Sequence, residues 1–358
     1  MTEWKEYKLG ELLTIKYGKD HKQLSDGIYP IYGSGGIMRY GDRYLYDKES
    51  ILIPRKGSLN NIFFEDKAFW TVDTMFWSEI DSSKVCPKFL YYQLSLVDFE
   101  NLNVGSAVPS LTIPIINAVD VVLPPLETQR RISAILSSLD DKIDLLHREN
   151  ATLEQMAETL FRQWFVVEAK EEWEEVPLSS IATFLNGLAC QKYPPKNEID
   201  KLPVLKIREL SSGIGSDSDW ATTEVGDEYI VHAGDVIFAW SASLMVKIWD
   251  GEDCILNQHL FKVTSEKYPK WFYYFWCKHH LNEFISIAQS HATTMGHIKR
   301  GDLDTAMVLV PSDEELLSMT AQMEGLLRKM ENNNEQINTL IQTRDGLLPR
   351  LMGGEINI

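Results

Sequence analysis

Two long stretches of this chain keep a 3.5-residue apolar period, and they lie 187 residues apart. In the first, Ile132, Leu136, Leu139, Ile143, Leu146, Asn150, Leu153, Ala157 and Leu160 follow one another in steps of four and three. In the second, Met319, Met323, Leu326, Met330, Asn333, Ile337, Leu340, Arg344, Leu347 and Leu351 keep that rhythm. A sustained heptad lays its apolar residues in one narrow seam along a helix, the width of a single partner helix. Each seam also carries an asparagine, which costs stability and fixes register when buried. The linkage within one chain favours pairing of the two helices with each other, because it raises their effective concentration.

The repeat extends beyond the helices. Trp4 and Leu9 match Trp173 and Leu178 at an offset of 169, and Pro30-Ile31 matches Pro203-Val204 at 173. Ile51-Leu52-Ile53 matches Val236-Ile237-Phe238 at 185. Pro87-Lys88-Phe89-Leu90-Tyr91-Tyr92 matches Pro269-Lys270-Trp271-Phe272-Tyr273-Tyr274 at 182, and Val122-Leu123 matches Val308-Leu309 at 186. Small drifts of this kind are what insertions in surface loops produce. A period so long excludes a solenoid. It predicts two copies of one domain, each followed by its own helix, sharing a scaffold and differing in surface.

Charge narrows the possible partners. The net charge is -17. Residues 1–124 hold 13 Lys+Arg against 16 Asp+Glu, and residues 176–312 hold 12 against 16. The helical segment 125–175 holds 6 against 12, with Glu171, Glu172, Glu174 and Glu175 crowded at its end, and residues 313–358 hold 4 against 8. The globular parts are thus near enough to neutral to carry a local basic patch. Phosphate neutralisation dominates affinity for nucleic acid, so the chain alone is expected to bind DNA weakly unless a partner adds cations. No apolar run is long enough to span a membrane, and the start of the chain has no apolar signal region. Cys86, Cys190, Cys254 and Cys277 lack paired spacing, which fits reduced thiols and a cytoplasmic location.

The expected class is α+β: two mixed α/β domains joined by two long helices that form an antiparallel coiled coil, with a pseudo-two-fold internal repeat. The boundaries fall at residues 1–125, 126–172, 173–311 and 312–358. Short strands are expected at 49–54, 62–64, 69–72 and 119–123, and a helix at 87–96, where the leading proline lacks only an N–H that has no partner anyway. Residues 171–175 read as an acidic linker. Ser312 with Glu315 is a capping box opening the second long helix, which Pro349 is expected to break.

Catalytic motifs are missing. Pro124-Pro125 and Pro194-Pro195 do not sit in the tetrad of an amino-methyltransferase, and no phosphate-cradling Gly-Lys-Ser/Thr loop occurs. Gly33-Ser34-Gly35-Gly36 reads as a surface turn. Cys277, His279 and His280 lack a second ligand pair, so no metal is expected. Asp73 and His259 fall at nearly equivalent places but have no titratable partner in the sequence pattern. Neither a cofactor nor a catalytic role follows.

The segment Pro124-Pro125-Leu126-Glu127-Thr128-Gln129-Arg130-Arg131-Ile132, followed by Leu139-Asp140-Asp141-Lys142-Ile143, resembles the central conserved segment of the specificity subunits of type I restriction-modification systems. Residues 344–356, from Arg344-Asp345-Gly346-Leu347-Leu348-Pro349 to Gly353-Gly354-Glu355-Ile356, resemble their closing segment. Pro54-Arg55-Lys56-Gly57-Ser58 with Phe69-Trp70-Thr71-Val72-Asp73-Thr74 is similar to their target-recognition domains. The second copy departs, with Ala239-Trp240-Ser241-Ala242-Ser243 in place of the Arg-Lys-Gly run. The resemblance covers the chain in the order recognition domain, helix, recognition domain, helix. It implies a non-catalytic reader of double-stranded DNA whose two domains read the halves of an interrupted target. It further implies two methyltransferase subunits as partners, with restriction-translocase subunits joining through the complex. The physics agrees, since about 29 residues of helix span about 43 Å at 1.5 Å per residue, near one DNA turn of about 34 Å.

The reading residues are expected in loops. In the first copy they are Lys16, Lys19, Lys22, Arg55, Lys56, Ser58, Asn60 and Asn61. In the second they are Lys206, Arg208, Trp240, Ser241, Ser243, Lys247, Asn257, His291, Thr293, Thr294, Lys299 and Arg300. Arginine and asparagine match the major-groove edges of guanine and adenine. The alternative is a coiled-coil bridging protein with no direct DNA role. The acid charge favours it, and divergent loops on a common scaffold do not.

Overall fold

The computed structural model describes residues 4–105, 108–215, 217–290 and 296–356. The chain divides into two compact units, one of residues 1–144 with 338–358 and the other of residues 145–337. Both divisions fall inside long helices, Leu126–Arg162 and Asp313–Met352.

In the first unit, a four-stranded sheet orders Leu13–Tyr17, Met75–Ile80, Ser50–Pro54 and Phe63–Glu65. All five residues of Ser50–Pro54 are buried, as a central apolar strand requires. A three-stranded sheet joins Gly36–Gly41, Asp26–Gly33 and Trp70–Thr71, the last pairing in parallel. The glycine-rich run is the tip of the hairpin between Gly33 and Gly36, and Gly36 holds φ +109°, which favours glycine. Helix Pro87–Leu94 and the long-helix residues Ile132 and Leu136 pack with Ile51, Ile53, Phe76, Phe89 and Leu351 in one core. Arg344 donates to Asp140 at 2.9 Å across the two long helices.

The second unit repeats this plan. Its four-stranded sheet orders Thr183–Asn186, Leu260–Thr264, Val236–Ala239 and Met245–Ile248. A second sheet orders Trp220–Thr222, Lys201–Leu205, Cys254–Leu256 and Ile230–Val231, again with one parallel pair. Helix Lys270–Ser290 packs seven consecutive buried residues, 271 to 277, among Phe161, Phe165, Phe238, Met319 and Met323. On the long helices of this unit, Asn333 is fully buried and donates to Asn150 at 2.9 Å, while Asn150 donates to Asn334 at 2.6 Å. Further toward the end of the first helix, the contacts lie nearer the start of the second: Ala157 and Phe161 share a core with Met319 and Met323. Every seam residue named from the sequence is buried or half-buried.

Two local expectations change. The second long helix runs through Pro349 to Met352 rather than breaking. Pro349 itself is exposed, and buried Leu351 and Met352 anchor the final turn. The acidic linker is shorter than expected, because Glu174 and Glu175 lie in strand Glu174–Pro177, paired with Met307–Val310. The first long helix ends in a wide π turn, Gln163–Val167. The capping box forms as read, with Ser312 N–H donating to Glu315 Oε2 at 3.0 Å and Glu315 N–H donating to Ser312 Oγ at 3.4 Å. Lys170, 2.5 Å from Glu315, is the main cause holding that carboxyl down at about 2.

Candidate nucleic-acid interface

Each unit gathers its loops at one end of its four-stranded sheet with the same main-chain bonds. In the first unit, Gly18 N–H donates to Met75 (3.0 Å), Lys19 to Thr71 (2.9 Å) and Arg55 to Thr74 (2.8 Å). Gly57 donates to Pro109 (3.2 Å) and Leu111 to Arg55 (2.9 Å). In the second, Gly187 donates to Leu260 (3.1 Å), Leu188 to Leu256 (2.9 Å) and Trp240 to His259 (3.3 Å). Ala242 donates to Gly296 (2.8 Å) and Ile298 to Trp240 (3.1 Å). These are one set of bonds displaced by 169, 185 and 187 residues, the drifts read in the sequence. Arg55 and Trp240 therefore occupy one slot, Tyr17 and Asn186 a second, and Thr74 and His259 a third. Asp73 is the equivalent of Gln258, one residue away from the pairing read in the sequence.

The side chains in these slots differ. The Arg55 guanidinium lies 5.4 Å from the Tyr17 ring centre, and its Nη1 donates to the Asp73 carbonyl at 3.2 Å. In the second unit, Trp240 Nε1 donates to Asn186 Oδ1 at 3.0 Å, and the indole stacks on Phe261 at 5.6 Å. Ser241 Oγ lies 3.1 Å from His259 Nδ1, and His297 stands 6.3 Å from the Trp240 ring. The turn after each slot needs a left-handed residue. It is Gly57 at φ +94° in the first unit and Ala242 at φ +56° in the second, a conformation that costs an L residue about 1–2 kcal/mol.

The structure sorts the sequence candidates. Arg55, Lys56, Ser58 and Asn61 share the first loop cluster, where Asn61 Nδ2 donates to the Ser34 carbonyl at 3.1 Å and so ties on the hairpin tip. Lys19 joins them, its carbonyl accepting from Trp70 Nε1 at 2.9 Å, and Lys22 follows in the same exposed loop. Asn60 has a structural task, since its Oδ1 accepts from Glu100 N–H (3.2 Å) and its Nδ2 donates to Asp98 (3.4 Å). Lys16 lies within a strand and pairs with Glu79 at 3.4 Å, away from the loop tips.

In the second cluster stand Trp240, Ser241 and Ser243. Asn257 is buried beside them, accepting from His259 N–H at 3.3 Å. Lys206 lines a cavity of about 320 Å³ with Asn257 and Cys190, and its ammonium holds the Asp219 carboxyl below the usual range. Arg208 is taken up by fully buried Glu209 (2.6 Å) and by Asp217 (2.5 Å). Lys247 is not in the cluster. It pairs with Asp250 at 2.9 Å and lines a separate cavity with His147, Glu154 and Tyr274. Arg300 donates to the Phe184 carbonyl at 3.3 Å, and Lys299 is exposed beside it. His291, Thr293 and Thr294 lie outside the described residues. Tyr17, Asn186, His259 and His297 were missed as site residues. The offset of 169 would have found the first two, since Tyr17-Gly18 aligns with Asn186-Gly187.

Among the described residues, no group of three or more His, Cys, Asp or Glu side chains is placed to hold a metal ion. No helix among them is long and apolar enough to cross a membrane. What these clusters offer is hydrogen-bonding, cationic and aromatic groups on rigid loops, an arrangement suited to reading base edges.

A family model described as the type I restriction modification DNA specificity domain matches residues 1–155 and again residues 170–342. The type I restriction enzyme MjaIX specificity subunit of Methanocaldococcus jannaschii is 23% identical over 345 residues, covering 88% of this chain and 79% of its own. The MjaVIII specificity subunit of the same organism is 21% identical over 406 residues, covering 99% and 93%. A crystal structure of a type I restriction-modification S subunit from M. genitalium shares the fold. Its TM-score is 0.59 at 14% identity, covering 98% of this chain and 96% of that one.

Proposed function

The chain belongs to the family of type I restriction-modification DNA specificity subunits, and from that membership we propose how its two halves divide the work. As a specificity subunit it is the non-catalytic, sequence-selecting component of a type I restriction-modification system. Residues 1–125 and 173–311 are two target-recognition domains, and each reads one half of a bipartite, interrupted target. Residues 126–172 and 312–358 contribute two helices that pair as an antiparallel coiled coil, set the spacer and dock two methyltransferase subunits. Restriction-translocase subunits join through that complex, which works on double-stranded DNA in the cytoplasm.

One observation carries this division above all: the same loop bonds recur in both units while the side chains in equivalent slots, Arg55 and Trp240, differ. A common scaffold with different readers is what an asymmetric bipartite target demands. The Asn150–Asn333 and Asp140–Arg344 contacts support the helix pairing: Asn150, Asn333 and Arg344 stand at seam positions, and Asp140 is half-buried beside the seam residue Leu139. The half-target readers proposed are Lys19, Lys22, Arg55, Lys56, Ser58 and Asn61 in the first domain. In the second they are Trp240, Ser241, Ser243 and Asn257, with Lys206, Lys299 and Arg300 placed for phosphate. The bridging alternative finds no comparable support.

The charge of -17 sets the test. Binding to a duplex carrying the target is measured at physiological salt for the chain alone and for its complex with the methyltransferase subunit. The complex is expected to bind the target specifically, and the chain alone about 100-fold more weakly or worse, because few phosphates are neutralised. Equal affinity would contradict the role given to the partner. A complex without sequence preference would contradict the reading itself.

A further inference from the structure

Arg55 differs from the other arginines of residues 1–125. Arg39 pairs with Asp26 at 3.2 Å and Arg43 with Asp42 at 3.8 Å, whereas Arg55 has no carboxylate partner among the described residues. In a chain with 52 acidic side chains against 35 basic ones, it is not neutralised by any of them among the described residues. Nor is it a loose surface cation. Its side chain is half-buried, resting over the Tyr17 ring at 5.4 Å, and one terminal nitrogen, Nη1, donates to the Asp73 carbonyl at 3.2 Å. Its main chain is fixed on both sides, donating to Thr74 and accepting from Leu111. Ring and carbonyl thus orient the guanidinium plane and leave Nε and Nη2 without a partner among the described residues. Those two donors lie side by side on one edge of the fork. That edge can donate to two adjacent acceptors in one plane, such as guanine O6 and N7 or two oxygens of one phosphate.

Resting on the DNA-reading function above, we propose that Arg55 reads one guanine of the first half-target, its Nε and Nη2 donating to O6 and N7 in the major groove. The second domain holds no counterpart in this slot. Trp240 stands there, and its one donor is already committed to Asn186. The two half-targets therefore differ at the base pair facing this position.

The test uses the complex with the methyltransferase subunit and a duplex carrying its mapped target. Each guanine of the first half is replaced in turn by 7-deazaguanine, which lacks the N7 acceptor. One such replacement is expected to weaken wild-type binding by about 5-fold, the lower end of what a bidentate base contact is worth, since O6 still accepts. With Arg55→Ala the same replacement should cost nothing further, and methylated-site maps should relax at that base pair while the second half stays intact. The intact second half also reports that the variant is folded. Arg55→Lys should relax the same position, since a point charge does not reproduce the fork. If Arg55→Ala weakens all sequences alike and lowers the salt slope by about 1, Arg55 contacts phosphate and the inference is overturned. A first half without guanine overturns it as well, and neither result touches the DNA-reading function. A wild-type complex that methylates no defined sequence would overturn that function and the inference together.

Discussion

Replacing Gly18 or Gly187 with alanine is expected to destabilise the domain that carries it by about 3 kcal/mol. A Cβ on Gly18 would lie 2.0 Å from the Val72 carbonyl oxygen and 2.7 Å from that of Thr71. On Gly187 it would lie 2.3 Å from the Asn257 oxygen and 2.5 Å from that of Leu256. These obstacles are main-chain atoms beside strands, so no side-chain rotation clears them. The same glycines donate the bonds that dock the loop on Met75 and Leu260, and moving the loop would break those bonds. Sequence-specific binding should fall with the stability. Denaturant unfolding of each variant measures the cost, and Gly35→Ala is the control, since nothing lies within 4 Å of its Cβ. A change below about 0.5 kcal/mol at Gly18 and Gly187 would mean that the loop yields, and that close approach does not define the slot.

A charge placed in the helix seam should cost about 4 kcal/mol. Leu136 is fully buried among Ile132, Phe89 and Leu351 in the first unit, and Met323 is fully buried among Phe161 and Trp271 in the second. Leu136→Asp and Met323→Asp each remove that packing and bury a carboxylate with no cation provided for it. Leu317 sits on the same helix as Met323 but is 71% exposed, so Leu317→Asp should change stability little. Equal effects at Leu317 and Met323 would contradict a seam.

Much of this was legible in the sequence because it rests on local period. The heptads fixed which face of each long helix is buried, and Ser312 with Glu315 marked the start of the second. The drifting offsets proved to be the displacements between equivalent hydrogen bonds. What the sequence hid depends on distant partners. Ile230–Val231 is a two-residue strand, too short to show any alternation. Arg208 and Arg55 read alike, yet Glu209 and Asp217 consume the first while a ring and a carbonyl free the second. Asn60 reads in the sequence as a free amide, yet its side chain bonds Asp98 and Glu100. Lys247 lies near Trp240 in sequence, but its strand, Met245–Ile248, carries it to another cavity.

The central claim is that two equivalent domains read two half-targets. It is tested most directly by giving the chain two copies of the second reader. The offsets of 169 and 187 define the exchange, with residues 173–310 replacing residues 4–123. The chimera is assembled with the methyltransferase subunit, and its methylated sites are mapped across a genome. Both halves of the new target should then carry the second half-sequence, as an inverted repeat about the spacer, because the helices are proposed to run in opposite directions. A target that keeps the first half-sequence, or that carries the second half-sequence only once, would contradict the account.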